Sequence, residues 1–327
     1  MRRRAFVALT GGALLAGVRA SRAQAQRRAG LLGWRGGLMN RDLAGGRDLL
    51  AAMKELGYVE GRNFLYDERS WDRQEQAFGM ARELLQAGAE VIIAAGPPSI
   101  LAAKAATDRV PIVMMYSAEP VAMGLVRSLN RPGGNITGLT WDHGFETNVK
   151  ALELLGETLP GIRRVALLWD ETDSVHPVYA KYYEKAAAQR GLTLVSAPVR
   201  SMDDVERAVV RMRKERTEAL VILPSGQLTV PKRVEVLALA MRERIPTLYS
   251  YVGRDAPNAL LHFGPNLDNM PRRAAAYVAR IFKGAKPADI PIEQPDKYDL
   301  VVDLGVARKL GITVPGSVLF RADRVIE

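Results

Sequence analysis

The chain has 327 residues, of which 48% are hydrophobic, and it carries a formal net charge of +10 without a single cysteine. This length suffices for two domains that each bury a core of their own. The lack of cysteine excludes disulfides, thiolate metal sites and thiol nucleophiles. Beyond residue 25 there is no run of about 18 unbroken apolar residues, so we expect no membrane-spanning helix.

The first 25 residues have the features of an export signal. A basic start at residues 2–4 precedes a Gly-, Ala- and Leu-rich stretch over residues 5–18, and residues 23–25 fit a cleavage site. The segment holds five arginines and no acidic residue, so its removal leaves 41 basic against 36 acidic residues and a net charge of +5. Residues 3–7 resemble a twin-arginine signal, with an ordinary Sec signal as the alternative. We therefore expect cleavage near Ala25 and a mildly basic protein in the periplasm.

Apolar runs of strand length alternate with helical patterns from residue 30 onward. Strands are predicted at 30–34, 63–68, 91–95, 112–115, 136–141, 165–169, 193–197, 219–223, 247–251 and 259–263. Helices are predicted at 41–56, 73–86, 99–106, 121–129, 145–158, 178–189, 203–215, 230–244 and 268–282. Repeated units with apolar strands predict parallel sheets covered by helices on both faces. Since the alternation restarts near residue 140, the predicted fold class is α/β with two doubly wound parallel-sheet lobes.

Aromatic, hydroxyl and carboxylate side chains cluster where the predicted strands end. In open α/β sheets, ligands bind beyond the carboxyl ends of the strands. The candidate binding residues at these ends, and at the crossing between the lobes, are Trp34, Pro98, Ser99, Tyr116, Ser117, Glu119, Trp141, Asp170, Ser225 and Tyr249. A few polar groups among aromatic ones are typical of a site for a small organic ligand.

One candidate is the helix start that follows the predicted strand 91–95. Pro97 and Pro98 are tolerated there, because the N–H groups of a first helical turn have no helical partner. Ser99, together with the free backbone N–H groups and the positive end of the helix dipole, would make a seat for an anion such as a carboxylate. The alternative is that Ser99 only caps its own helix.

The remaining candidates are mainly rings and carboxylates. Trp34, Trp141 and Tyr249 can stack against a flat ligand, or they can simply be packed aromatic residues. Ring faces offer a large contact area at a small entropic cost, which favours the first interpretation at a binding rim. Glu119 and Asp170 can each receive an ammonium group, and for Asp170 the alternative is a plain loop position.

Metal binding and catalysis receive no support from the sequence. His143, His176 and His262 are scattered without a recognised ligand spacing, so we expect no metal and no cofactor. The chain has no Gly-x-Ser-x-Gly elbow and no P-loop, and Ser225 with His262 is the only conceivable hydrolase pair, so we do not expect an enzyme. No helix-turn-helix precedes residue 28, and nucleic acid is therefore not an expected partner.

Five stretches, in order along the chain, resemble one known family. They are ELGYVEGRN (55–63), AAGPPSILAAK (94–104), PIVMMYSAEPVAMGLVRSLNRPGGNITGLT (111–140), RRVALLWD (163–170) and GAKPADIPIEQPDKYDLVVDLGVARKLGITVPGSVLFRADRVIE (284–327). From residue 30 to residue 327 the chain is similar to the bacterial ABC-transporter substrate-binding proteins of the tryptophan/tyrosine type. Those proteins have the type I periplasmic binding protein fold.

This resemblance implies two lobes that are discontinuous in sequence. Lobe 1 would take residues 28–139 with 265–293, lobe 2 would take residues 140–264 with 294–327, and three crossings of the chain would form the hinge. The ligand would lie between the lobes of a monomer, and the partners would be the ABC permease and ATPase subunits of an importer. A ligand-sensing module for a membrane receptor or kinase is the alternative, because one fold serves both roles.

The resemblance also assigns roles to individual positions. Ser99 matches the anion seat at the helix start. Tyr116, Ser117 and Glu119 match a loop where relatives read Gly-Asp-Pro, so Glu119 keeps the negative charge on a longer arm. Ser225 falls where relatives often have an aspartate, so that carboxylate is missing here. The expected ligand is a small organic molecule that carries a carboxylate, with an aromatic ring as an option, or an amino acid.

Overall fold

The computed structural model describes residues 26–35, 37, 39–141, 144–252, 258–295 and 297–327. The predicted export signal therefore lies outside the described residues. The strands in these ranges are β1 (Arg27–Trp34), β2 (Phe64–Trp71), β3 (Val91–Ala95), β4 (Ile112–Ser117), β5 (Ile136–Thr140), β6 (Arg164–Asp170), β7 (Thr193–Val199), β8 (Ala219–Ile222), β9 (Thr247–Tyr249), β10 (Leu261–Pro265), β11 (Tyr298–Asp303) and β12 (Arg324–Ile326). The helices are α1 (Ala44–Glu55), α2 (Ala77–Gln86), α3 (Pro97–Ala106), α4 (Phe145–Thr158), α5 (His176–Gln189), α6 (Met202–Lys214), α7 (Arg233–Arg242), α8 (Met270–Phe282), α9 (Leu304–Leu310) and α10 (Gly316–Arg321).

The strands form two separate sheets. The first has the order β2-β1-β3-β4-β5 and is parallel throughout. The second has the order β12-β11-β10-β9-β8-β6-β7, and its pairs are parallel except for β10 with β11. The predicted α/β class with two mainly parallel sheets is confirmed. The antiparallel pair involves a strand beyond the last predicted element, so the sequence pattern did not predict it.

Helices cover both faces of the first sheet, which explains the unbroken apolar sequence of its central strand. The five residues of β3 show no polar alternation, because both faces of this strand are buried. On one face, Val278 of α8 shares a hydrophobic cluster with Ile93. On the opposite face, Ile100 of α3 shares a second cluster with Ile92.

The chain passes repeatedly between the two sheets. The first five strands end at Thr140, the next five belong to the second sheet, and α8 then returns to pack against α1. Near two of these passages the Thr140 N–H donates to the Glu293 carbonyl at 2.9 Å, and the Glu293 N–H donates to the Gly138 carbonyl at 3.0 Å. These two hydrogen bonds hold residues 138–140 beside Glu293, so the two segments that connect the sheets lie next to each other here. The limits of the predicted lobes remain predictions.

Two local predictions differ from the structure. The segment 121–129 was expected to be helical and instead forms turns, because Gly124 adopts a left-handed conformation with φ of 64° that interrupts a helix. Helix α3 begins at Pro97, two residues before the predicted start at Ser99. Both prolines therefore occupy its first turn, where their missing N–H groups break no helical bond.

Candidate functional site

A cavity of about 120 Å³ lies where the carboxyl ends of the two sheets face each other. Five of the described residues in its wall are aromatic: Trp34, Trp71, Tyr116, Trp141 and Tyr251. The first three come from the first sheet, and Trp141 lies at the passage that follows β5. Pro98, at the start of α3, also lines the wall. The structure therefore brings four of the predicted residues together: Trp34, Pro98, Tyr116 and Trp141.

The aromatic wall follows from the register of the first sheet. Trp34 and Trp71 are the last residues of β1 and β2, and they are direct partners in this parallel pair. Tyr116 lies near the end of β4 in the same sheet. Because the carboxyl ends of parallel strands meet at one edge, the three rings face the same cavity.

The loop after β4 has an unusual backbone. Tyr116 and Glu119 adopt left-handed conformations with φ of 53° and 44°, which favour glycine. Conformations of this kind cost of order 1 kcal/mol or more and concentrate at functional sites. The Tyr116 hydroxyl lies 3.7 Å from the sulfur of Met39. Burial raises the pKa of Tyr116, so this hydroxyl stays protonated at neutral pH.

Ser99 does not reach the cavity wall in this structure. Its side chain is fully buried, and its hydroxyl accepts a hydrogen bond from Trp71 Nε1 at 3.0 Å. With Pro97 and Pro98 as the first two residues of α3, the Ser99 N–H is also the first backbone donor that this helix can offer. The Ser99 hydroxyl thus supports the Trp71 ring of the cavity wall. Pro97 and Pro98 have no N–H group, so the predicted anion seat lacks the two backbone donors that these positions would otherwise provide.

Asp170 and Ser225 lie behind the part of the wall that the second sheet provides. Both are buried, and the Ser225 hydroxyl donates to Asp170 Oδ2. Asp170 Oδ1 accepts from the Thr172 N–H at 2.9 Å and from its hydroxyl at 2.6 Å. These bonds tie the loop after β6 to the loop after β8. The described residues of those loops that do line the cavity include Asp173 and Gln227.

Ser225 and His262 have different partners, although they are the only conceivable hydrolase pair in the sequence. The Ser225 hydroxyl is directed at Asp170. His262 is buried in β10, and its Nδ1 lies 3.2 Å from the Tyr251 carbonyl. Burial lowers the pKa of His262 to about 4, so the imidazole is neutral at pH 7 and its Nδ1–H donates to that carbonyl.

Tyr249 is part of the core and does not line the cavity. Its ring is 1% exposed, and its hydroxyl donates to the Thr229 carbonyl at 3.1 Å. Burial raises the pKa of Tyr249. Because β9 ends at Tyr249, this ring still packs under the covering helices, whereas Tyr251 lies past the strand end and faces the cavity.

Ser117 and Glu119 follow Tyr116 in the chain, and neither is among the described residues that line the two cavities. Ser117 ends β4 and is fully buried, and its hydroxyl has no hydrogen-bond partner among the described residues. Glu119 Oε1 accepts from the Tyr182 hydroxyl at 2.9 Å. Tyr182 belongs to α5, which packs on the second sheet, so this bond joins the two sides of the cleft.

A second cavity of about 60 Å³ adjoins the first on the side of α4 and α5. The two cavities share Trp141 and Pro224 in their walls. The smaller one is also lined by Asn148, Tyr183 and Ser250, and the hydroxyls of the last two lie 3.1 Å apart. Burial raises the pKa of Tyr183 to about 12, so its hydroxyl is protonated at neutral pH.

The described walls carry little charge. Among the described residues that line the two cavities, Asp173 is the only carboxylate and none is a lysine or an arginine. Within the same part of the chain, no group of three or more His, Asp and Glu side chains is placed to hold a metal ion, and His143 lies outside it. None of the helices described has the length and apolarity needed to cross a bilayer.

Several wall residues are absent from the candidate binding residues chosen from the sequence, notably Met39, Trp71, Asp173, Gln227 and Tyr251. Trp71 was missed because the predicted strand stopped at residue 68, three residues before the end of β2. Extending that strand would have placed a second tryptophan beside Trp34. Asp173, Gln227 and Tyr251 are close in sequence to predicted residues, but only the local strand ends decide which neighbour faces the cavity.

A model of the family described as ABC transporter substrate binding protein matches residues 43–326. This chain belongs to that family. Among curated proteins it is similar to the tyrosine-binding protein of Clostridioides difficile (strain R20291), with 22% identity over 258 residues, which are 79% of this chain and 73% of that protein. The resemblance found in the sequence is confirmed.

Solved structures show the same fold. An ABC domain from Streptococcus pneumonia in complex with L-Trp matches with a TM-score of 0.83 and 22% identity, covering 92% of this chain and 100% of that one. The ligand-free, open structure of a substrate-binding protein with adhesive properties from Clostridium difficile matches with a TM-score of 0.67 and 21% identity, covering 92% and 99%. The chain is thus a substrate-binding protein of the ABC-transporter class, and proteins of this family bind small molecules for a transporter outside the cytoplasm.

Proposed function

We propose that this protein is the periplasmic solute-binding component of an ABC importer and that it binds a small aromatic, carboxylate-bearing molecule such as an aromatic amino acid. The observation that carries the proposal is the aromatic wall of the larger cavity. The relatives that bind tyrosine and L-Trp support the same ligand class.

The size of the cavity suits a single aromatic ring. An engineered apolar cavity of about 150 Å³ in another protein binds benzene, and the cavity here is about 120 Å³. Tryptophan and tyrosine rings provide large contact faces that lose little entropy on binding. The ring of the ligand would therefore lie between Trp34, Tyr116 and Tyr251, with its polar end toward the loops of the second sheet.

The mechanism is closure of two lobes around the ligand. Lobe limits of 28–139 with 265–293 and 140–264 with 294–327 suit the division of the strands between two sheets. A ligand that contacts both lobes favours the closed form over the open one. The Tyr182–Glu119 bond across the cleft supports a closed arrangement here.

Closure also defines the partners. The closed monomer would present one surface of each lobe to the ABC permease, and the ATPase subunits would drive release of the ligand. Export would use the signal in residues 1–25, with cleavage near Ala25. Ligand binding explains why these residues line the cavity without any chemical step, so we propose no enzymatic activity. No observation favours the ligand-sensing alternative.

The decisive experiment identifies what the purified mature protein binds. Mass spectrometry of material released by denaturation should detect a small aromatic acid or amino acid. A thermal-shift screen should find that L-tyrosine, L-tryptophan or a related aromatic acid raises Tm by several degrees, because a ligand at 100 times its Kd adds about 2.7 kcal/mol of stability. Leucine, glutamate and glucose serve as negative controls.

Two variants locate the site. Trp34→Ala should abolish the thermal shift, since it removes a ring from the cavity wall. Trp169→Ala removes the same side chain from a half-buried position outside the described walls, and it should keep the shift. A preference for aliphatic or sugar ligands, or equal loss in both variants, would refute the proposed function.

A further inference from the structure

Asp173 brings a negative charge to the wall of the larger cavity. It belongs to the loop after β6, so it comes from the second sheet, whereas Trp34, Trp71 and Tyr116 come from the first. Among the described residues that line this cavity, Asp173 is the only carboxylate and none is a lysine or an arginine. The described wall therefore carries one negative charge without a compensating cation.

One oxygen of the Asp173 carboxylate is available to a ligand. Oδ1 accepts from the Val175 N–H at 2.9 Å. Oδ2 has no hydrogen bond to a described residue and is not among their buried unpaired atoms, and the side chain is 15% exposed. Asp170 differs, because both of its oxygens accept from Thr172 or Ser225 in a buried network. A ligand can therefore bind Asp173 Oδ2 without displacing a protein partner.

Within the part of the chain that the structure describes, no side chain neutralises Asp173. The basic side chain that approaches it there is His176, whose Nε2 lies 3.9 Å from Oδ2. The Asp170 N–H donates to His176 Nδ1 at 2.9 Å, so Nδ1 carries no proton and the imidazole is neutral. Its Nε2–H donates to the Pro224 carbonyl at 3.2 Å. A partly buried carboxylate without a cation favours a ligand that supplies one.

The aromatic wall favours the same sign of charge. The faces of tryptophan and tyrosine rings are negative and attract ammonium groups. Five aromatic residues line the cavity whose wall includes Asp173. A protonated amine would therefore be attracted by both the carboxylate and the rings. A carboxylate of the ligand, in contrast, meets no lysine or arginine in the described wall and is repelled by Asp173.

We propose that Asp173 accepts a hydrogen bond from the protonated amine of the ligand and that this amine, more than the carboxylate, determines which aromatic molecules bind. The inference rests on the function proposed above, and it names the charged group that the site selects. It places charge recognition in the loop after β6 instead of at Ser99, where the sequence predicted an anion seat.

The test is calorimetric titration of wild-type protein and the Asp173→Asn variant with three probes. They are L-tyrosine, tyramine, which lacks the carboxylate, and 3-(4-hydroxyphenyl)propionate, which lacks the amine. L-Tryptophan, tryptamine and indole-3-propionate repeat the comparison with a larger ring. Wild-type protein should bind the amino acid and the amine of a series at least about tenfold more tightly than the propionate, since only they carry the cation.

Asp173→Asn keeps an oxygen for the Val175 N–H and removes only the charge. It should weaken the amino acids and amines about 10- to 100-fold, the worth of a hydrogen bond between charged groups. The propionates should bind equally well or more tightly, because the repulsion is gone. Glu171→Gln is the matched control, since it removes the same charge from an exposed side chain that pairs with Arg200 outside the described walls. It should leave every affinity unchanged.

Two results would overturn the inference while the aromatic ligand class stands. One is that wild-type protein binds the propionates as tightly as the amines, and the other is that Asp173→Asn weakens all probes equally. The ranking in wild-type protein needs no variant, so it decides the inference even if Asp173→Asn does not fold. If no probe of either series binds wild-type protein, the proposed function fails and the inference fails with it.

Discussion

At the scale of single residues, individual hydrogen bonds determine whether a predicted side chain can contact a ligand directly or only supports a neighbouring side chain. Ser99 has the position expected of a ligand seat, yet its hydroxyl is committed to the Trp71 indole at 3.0 Å. Trp71 in turn lines the larger cavity. The effect of Ser99 on a ligand is therefore indirect, through the orientation of a ring.

The pairing of Ser99 with Trp71 predicts a stability cost. Ser99→Ala leaves a buried indole N–H without an acceptor, and it should lower the free energy of unfolding by about 1–3 kcal/mol in urea titrations. The double variant with Trp71→Phe should lose less than the sum of the two single variants, because no unpaired donor remains.

Ser196→Ala is the control for this prediction. It removes the acceptor of another indole, that of Trp169, at an exposed pair where water can replace the serine. Its cost should stay within about 0.5 kcal/mol. Equal costs for Ser196→Ala and Ser99→Ala would contradict the role given to the buried pair.

At the scale of secondary-structure elements, the pairing of β4 with β5 positions the segment that follows β5, which contains Trp141. The register of this pair shifts between Met114 and Ser117. Gly138 of β5 adopts φ of 131°, and a Cβ built on it would lie 2.2 Å from the Met114 carbonyl oxygen. Only glycine allows this close approach of two backbones. The position of Trp141 thus depends on a residue that never touches the cavity wall.

Gly138→Ala should therefore lower the free energy of unfolding by at least about 2 kcal/mol. The positive φ is unfavourable for alanine, and the added Cβ would clash with the Met114 carbonyl oxygen. Gly156→Ala, inside α4, meets no atom within 4 Å and should instead add about 0.5–1 kcal/mol through higher helix propensity. Chemical denaturation of both variants measures the difference. The same sign of effect in the two would refute this account of the β4–β5 join.

At the scale of the whole molecule, the Tyr182–Glu119 bond connects a helix of the second sheet to the loop after β4 of the first. In the closure mechanism proposed above, this bond would exist only in the closed form, and it would contribute to the balance between the open and closed states. The left-handed Glu119 holds its carboxylate at the edge of that loop.

Tyr182→Phe should consequently shift the ligand-free protein toward the open form and weaken ligand binding several-fold, as seen by scattering and calorimetry. Tyr277→Phe is the matched control, because the Tyr277 hydroxyl donates to the Pro291 carbonyl at 2.7 Å near the first sheet alone. That variant should lose stability without any change in the radius of gyration. An unchanged open–closed balance in Tyr182→Phe would show that the bond plays no part in closure.

Much of the architecture was predictable because it rests on local periodicity. Strand β3 and helix α4 have the predicted limits, since an apolar run and a helical face are both properties of neighbouring residues. The last strands and helices were not predicted, and the antiparallel β10–β11 pair depends on where a distant segment docks. The family was recognisable from motifs in order along the chain.

The sequence alone therefore determined the alternation of strands and helices and the two sheets, and it predicted the sheet edge at which we propose that a ligand binds. Only the tertiary structure decided which residues at that edge face the cavity. Asp170 and Ser225 are 55 positions apart in the chain, and they form a hydrogen bond with each other behind the cavity wall. Asp173, in contrast, lines the cavity. The physical reason is that most buried polar groups pair with a group that the fold places next to them, and that partner is set by contacts between distant segments.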